Sequence, residues 1–389
     1  EHLIVTNAGG KPAQLLLTVF DESGKRYQTP VVLGPAQTQR FSVREFVTSK
    51  GIGGTSGGIS ILVNHGAQSV LAANVVFDTS SGFSALMKTF ENSPKEASGT
   101  IVLRSPMLAL STPDPSLGFP SETQLEPRAF LRNTTSHPLR VQAELHWSSP
   151  SDSGVVGLSG IDLGANETHT VDIYSMQKEG TIPADATWGN LELKYQGRYG
   201  DVVAISASYN RELTHGLQTP FTDIVANHFM GGQWYADDLR HTIITAGNAS
   251  NSTRTVQFTL HYTGGKSKYE IEKQISPNKQ LFVDVANIIR SQVPDKNGKT
   301  ISPDVTEGSY SFGDKDRILG QDLFEGKLTV DKTYGFAAYG CSYCCAPGDP
   351  YLSPFSASGA VGGSWPNYVY GQNICTGLTY DITANAYNW

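Results

Sequence analysis

The sequence predicts an all-β protein: three tandem antiparallel Ig-like β-sandwich repeats with short helical turns, followed by an irregular C-terminal tail containing cysteines and aromatics. Three observations predict this. An eleven-residue phrase occurs three times without a gap, as Leu33 to Val43, Leu163 to Ile173 and Ile275 to Val285. Strictly alternating apolar and polar residues stand at matching offsets around it. The 389 residues include 40 Gly and 20 Pro but only 17% charged side chains, as a turn-rich β protein requires.

Each phrase has an apolar residue, a small residue, a turn, and an apolar-polar-apolar triplet. That pattern describes a strand ending, a reversal and a new strand. Upstream, Leu15, Val141 and Val256 each stand eight residues after an asparagine: Asn7, Asn133 and Asn248. From these points Leu15, Leu17 and Val19 alternate with polar neighbours. So do Val141, Ala143, Leu145 and Trp147, and Val256, Phe258, Leu260 and Tyr262. Successive side chains of a strand point to opposite faces, so such alternation marks half-buried strands. It argues against buried parallel strands, which read as continuous apolar runs.

After each phrase comes a segment of one or two helical turns, at Arg44 to Val47, Tyr174 to Gln177 and Ala286 to Ile289. Phe46, Met176 and Ile288 fall in register as one apolar plug per unit. A glycine-led strand follows at Gly58, Gly189 and Gly308. A closing strand follows in turn, at Val70 to Phe77, Val202 to Tyr209, and Lys327 to Val330 or Tyr334 to Tyr339. Short strands at this spacing predict sandwiches or barrels. The expected boundaries are repeat 1 at 1–95, repeat 2 at 129–235, repeat 3 at 236–345 and the tail at 346–389. Three sandwiches stacked in line would make an elongated rod. A linker at 96–128 carries a candidate strand from Thr100 to Leu103, expected to pack on a neighbour or to complete the edge of another unit or chain.

Nucleic-acid binding needs many phosphate-neutralising Lys and Arg, and with a net charge of −7 and no basic cluster no nucleic-acid partner is expected. No apolar run approaches the ~20 residues of a membrane helix. No signal peptide is evident, and the chain enters a strand at Leu3, as a mature or trimmed form would.

The four cysteines are Cys341, Cys344, Cys345 and Cys375. Three pairings are open to them, and two disulfides would pin the tail to repeat 3 in an oxidising, extracellular setting. Zinc sites usually pair two Cys-x₂₋₄-Cys units, and Cys375 has no such neighbour. Metal and cofactor are therefore not expected. Trp234, Tyr235, Trp365, Tyr368, Tyr370 and Trp389 are candidate aromatics for assembly or ligand stacking, with Trp234 and Tyr235 expected to wedge between two domains. Asn133, Asn166, Asn248 and Asn251 match the N-glycosylation pattern at expected exposed turns.

No catalytic residue is expected. Gly54-Thr55-Ser56-Gly57-Gly58 fits a G-x-S-x-G elbow, but that motif needs a strand before it and a helix after, and here a strand follows. Alternation puts His146 on a polar, exposed face. Asp295-Lys296-Asn297-Gly298 lacks the later ligands of a calcium loop and reads as a plain turn.

Several phrases resemble those of a group of secreted tandem β-sandwich proteins of Acidobacteria and related soil bacteria. They are Phe130 to Thr135, Gly231-Gly232-Gln233-Trp234, Val293 to Gly298, Glu325 to Leu328, Asp331 to Gly335 and the Cys341 to Cys345 cluster. The resemblance covers about 128–345. It implies secretion, a bacterial source and β-rich repeats, and it brings no reaction with it.

The functional expectation is a non-enzymatic extracellular structural protein, a subunit of a cell-surface fibre, pilus-like filament or matrix. Its partners would be further copies of itself or other surface proteins. The alternative is a carbohydrate- or surface-ligand-binding adhesion protein acting on glycans.

Overall fold

The computed structural model describes residues 1–65, 70–78, 83–87, 98–113, 122–212, 216–221, 229–238, 240–248, 250–277, 279–314, 323–331 and 335–339. Strands make up 56% of the chain, in antiparallel sheets with few helices. The cysteines, Trp365, Tyr368, Tyr370 and Trp389 lie outside the described residues.

The first sheet pair comprises β1 (His2–Asn7), β2 (Ala13–Phe20), β3 (Arg26–Leu33), β4 (Thr38–Ser42), β5 (Gly58–His65), β6 (Val70–Asp78) and β7 (Phe83–Met87). The second comprises β8 (Gly99–Ala109), β9 (Glu126–Asn133), β10 (Leu139–Ser148), β11 (Ser153–Leu163), β12 (Thr168–Val171), β13 (Trp188–Gly197), β14 (Val202–Tyr209) and β15 (Gly216–Pro220). The third comprises β16 (Phe229–Tyr235), β17 (Arg240–Asn248), β18 (Arg254–Tyr262), β19 (Ser267–Ile275), β20 (Gln280–Asp284), β21 (Glu307–Asp314), β22 (Leu323–Asp331) and β23 (Gly335–Tyr339).

One strand order recurs. Sheets β4-β1-β6-β7, β12-β9-β14-β15 and β20-β17-β22-β23 superpose in topology. Their partner sheets are β11-β10-β13-β8 and β19-β18-β21-β16 in the second and third pairs, but only β3-β2-β5 in the first. Three separate cores match the three pairs. Leu15 and Leu17 lie in the first, Val141, Ala143 and Leu145 in the second, and Val256, Phe258 and Leu260 in the third, on the faces that alternation assigns them.

The topology redraws the expected boundaries. The strand expected in the linker is β8, which pairs antiparallel with β13 and sends Leu103 and Leu108 into its own unit's core. Residues 229–235, expected in repeat 2, form β16 and pair with β21 of the third unit. Each unit also has a further edge strand: β7 and β15, which periodicity did not separate, and β23, which matches the second of the two strands offered for the third unit; there both candidates form, as β22 and β23. β7 lies against both β15 and β23, which also touch each other. The first and third units are therefore in contact, and the expected linear rod is not what the chain forms.

The repeated phrase carries the chain from one sheet to the other, joining β3 to β4, β11 to β12 and β19 to β20. Its turn bends through a left-handed residue, Ala36 (φ 53°) in the first copy and Asn166 (φ 58°) in the second. Its tenth residue caps a helix. Ser42 accepts from the N–H of Glu45 to start α1 (Val43–Lys50), Asp172 from Ser175 to start α2 (Ile173–Lys178), and Asp284 from Asn287 to start α3 (Val285–Arg290). Such caps satisfy backbone donors left free by the first turn. The expected plugs Phe46, Met176 and Ile288 are only half-buried. Met176 and Ile288 nonetheless pack against the cores of their units, beside the buried Ile173 and Gln177 of α2 and Val285 and Ile289 of α3, whereas α1 buries no residue.

Candidate functional site

The landmark asparagines do structural work that excludes another role. Asn133 Nδ2 donates to the carbonyls of His137 (2.7 Å) and Gly164 (2.8 Å), while its Oδ1 accepts from Thr135 N (2.8 Å). Asn7 repeats this with Lys11 O (2.8 Å), Gly34 O (2.9 Å) and Gly9 N (3.0 Å), and Asn248 with Ser252 O (2.8 Å), Ile275 O (2.9 Å) and Ser250 N (2.9 Å). Each amide ties a tight turn to the crossing phrase that follows it. Asn133 and Asn248 are buried, at 0% and 1% exposure. The expected exposure of these two glycosylation-pattern asparagines is therefore corrected: their amide hydrogens are already spent on buried carbonyls. Asn166 is half-buried and Asn251 exposed.

Trp234 and Tyr235 are corrected likewise. Trp234 is fully buried in the core of the third unit and donates its ring N–H to Ser309 O at 3.0 Å. Tyr235 is buried with the Arg240 guanidinium over its ring, 4.1 Å from the centroid. Both rings are buried, and Trp234 fills the core of the third unit. His146 is also buried, although alternation places it outward.

The glycine-rich loop before β5 meets the second unit. Glu22 Oε1 accepts from the backbone N–H of Thr55 and of Ser56 (both 2.8 Å) and from their hydroxyls (3.0 and 3.1 Å). These bonds, led by the Thr55 N–H, hold the Glu22 carboxyl below the usual carboxylate range. Glu22 O accepts from Thr168 N (3.0 Å), and His169 and Thr170 line the other side of this shallow cleft. The two N–H groups that an acyl-transfer site would aim at an oxyanion are occupied by a resident carboxylate. Ser56 Oγ donates to the same oxygen, and β5 rather than a helix follows it. The cleft is thus a joint between units.

Close contacts lock the joint. Arg132 of β9 stacks on Phe20 at 3.8 Å and donates to Asn166 O at 2.9 Å. Burial lowers its pKa to about 10, which leaves it charged at neutral pH. A Cβ at Gly24 (φ +84°) would lie 2.4 Å from Ala165 O. On the far side of the second unit, Trp188 packs against Phe282 of the third at 5.3 Å.

Asp295 forms a turn, as expected. Its Oδ1 accepts from the N–H of Asn297 (2.7 Å) and Lys299 (2.8 Å), and Oδ2 from Glu270 N (3.3 Å). Loss of hydration pushes its pKa up, and these N–H donors more than offset that, so the pKa ends below the ordinary value.

The first unit's smaller sheet has one strand fewer than its counterparts among the described residues, β8 and β16 being the strands that precede the first strand, β9 or β17, of the matching sheet in their units. Where β13 is flanked by β8 and β21 by β16, β5 pairs only with β2 among the described residues. Its inward residues Ile59, Ile61 and Val63 remain half-exposed, whereas Leu191, Leu193, Tyr310 and Phe312, on the flanked strands β13 and β21, are buried. On the outer face of the same sheet Leu62 is 59% and Val32 64% exposed. Natural edges are blunted by charge or proline. β3 carries Arg26 and Pro30, β8 carries Arg104 and Pro106, and β19 carries Lys268 and Lys273, whereas the edge strand β16 carries neither charge nor proline. β5, Gly58-Ile-Ser-Ile-Leu-Val-Asn-His65, has no Pro, Lys, Arg, Asp or Glu.

No family model and no curated protein matches the chain. Among solved structures, one described as "The Triple Jelly Roll Fold and Turret Assembly in an Archaeal Virus" is 9% identical over 87% of this chain and 80% of that chain, with a TM-score of 0.11, too low to carry an argument. Among the described residues no helix is long and apolar enough to cross a membrane.

Proposed function

We propose that the chain is a non-enzymatic structural subunit of an extracellular assembly: a cell-surface fibre, pilus-like filament or matrix. The observation that carries this is the pair of joints that hold the units together, with Glu22 O accepting from Thr168 N beside Arg132 stacked on Phe20, and Trp188 packed on Phe282. A surface used once per copy and matched elsewhere on the molecule makes heterologous contacts, which give filaments when they do not close.

The shared strand order, buried asparagine and capped helical turn support reading the three sheet pairs as tandem Ig-like repeats of one ancestral unit. The two joints, at Glu22 and at Trp188, suit a subunit that transmits load as one body. Negative-stain electron microscopy of the protein recovered from its source tests the proposal. Regular filaments or sheets are expected; dispersed single particles at all concentrations would overturn it.

A further inference from the structure

We infer that copies of the chain join end to end through a joint of the kind that already links the units, in which Glu307 of one copy faces Arg40 of the next. The inference rests on the assembly reading above and names the contact that makes the assembly.

The two joints inside the chain use the same positions. Each is made by the loop just before the glycine-led strand of one unit and by the eighth residue of the repeated phrase in the next. In the first joint the loop before Gly58 supplies Ser56, whose hydroxyl accepts from that of Thr170 at 3.4 Å. In the second the residue before Gly189 is Trp188, and it packs on Phe282 with ring centroids 5.3 Å apart. Thr170 and Phe282 both stand eighth in their copies of the phrase. One joint thus matches hydroxyl with hydroxyl, and the other ring with ring.

A third such pair of surfaces exists at the two outer units. The loop before Gly308 ends in Thr306 and Glu307, and Arg40 stands eighth in the first unit's phrase. All three residues are exposed. Among the described residues no ion pair includes Glu307, so its partner is left to a second copy. The surfaces carry opposite charge. Asp304 and Glu307 are the exposed acids of the third unit's loop. On the first unit Arg40 and Arg44 are exposed with Glu45 beside them, close enough together that all three act on His2. Matched charges across a contact fix its register, and like charges set face to face oppose it. The giving and receiving surfaces lie on different units of one chain, so each copy can give one contact and receive one. That head-to-tail arrangement continues without closing, as an open assembly requires.

Light scattering on the full chain measures the concentration at which half of it is assembled. Each single reversal, R40E or E307R, sets like charges face to face and should raise that concentration about tenfold or more. Its far-UV circular dichroism spectrum should be unchanged. An equimolar mixture of the two reversed chains restores opposite charges at every junction and should assemble within about threefold of the unaltered chain, as should the double variant R40E/E307R. Reversed chains that assemble like the unaltered one would overturn the inference while sparing the structural-subunit reading, as would a mixture no better than its components. Rescue by the double variant but not by the mixture would place the pair within one chain and overturn the inference too. A full chain that is single at all concentrations would overturn both readings. Should a reversal misfold, R40Q and E307Q should each raise the concentration about threefold, and no change in either would again overturn the inference.

Discussion

Replacing Asn133 with alanine isolates the device that all three units share. The amide is buried and makes three good bonds that nothing else replaces: to His137 O, to Gly164 O and from Thr135 N. Each such bond contributes about 1 kcal/mol net, and an orphaned buried group costs about 1–3 kcal/mol, so N133A should lose roughly 3–4 kcal/mol. With a urea m-value of about 2 kcal/mol/M for a unit of this size, the unfolding midpoint of the second unit should fall by roughly 1.5–2 M. Hydrogen exchange followed by mass spectrometry on peptides from 126–148 reads that unit alone, which matters because three units need not unfold in one step. N133D keeps the shape but points a carboxylate at carbonyl oxygens. Its folded-state pKa must rise, so its stability should recover as the pH falls and worsen as it rises. A midpoint shift below about 0.5 M for N133A, or an N133D without pH dependence, would refute the view that the amide holds the turn to the crossing phrase.

Further outcomes follow from other contacts. Glu22 has its pKa lowered by the Thr55 and Ser56 donors. Its contribution is therefore full above about pH 4.5 and is lost as the pH drops through the lower folded value. E22Q should remove that acid dependence and cost about 1 kcal/mol, the carboxylate being largely solvated; protease cutting at 51–57 across pH 3–7 reports it. G308A would place a Cβ 2.1 Å from His261 O and 2.6 Å from the Trp234 ring. That overpacking should cost about 3 kcal/mol and lower the melting temperature of the third unit by roughly 10–20 °C, seen by calorimetry. D172A removes the cap of α2 and should cost about 1 kcal/mol, whereas D172S should be close to neutral in the same denaturant assay.

Much of the fold was legible because its signals are local. The alternation at Val141 to Trp147 and Val256 to Tyr262 identifies core faces without knowledge of the partner strand. The repeated phrase identifies the sheet-to-sheet crossing and the helix that follows it. The functional surface was far less legible. Asn133 and Asn248 match a modification pattern yet are buried clips, and Trp234 looks like a stacking ring yet fills a core. A sequon or an aromatic specifies chemistry, while burial is decided by residues distant in the chain.

By itself the sequence determined the all-β class and the positions of most strands and helix caps, because a strand's period and a cap's residue type are set within a few residues of each other. Only the tertiary structure decided which sheet owns β8 and β16, how the units touch through β7, β15 and β23, and that β5 has no partner on one side among the described residues. Strand pairing joins residues as far apart as Leu103 and Leu193. No local pattern records such a partner, because the residues that make the pair meet only when the sheets are assembled.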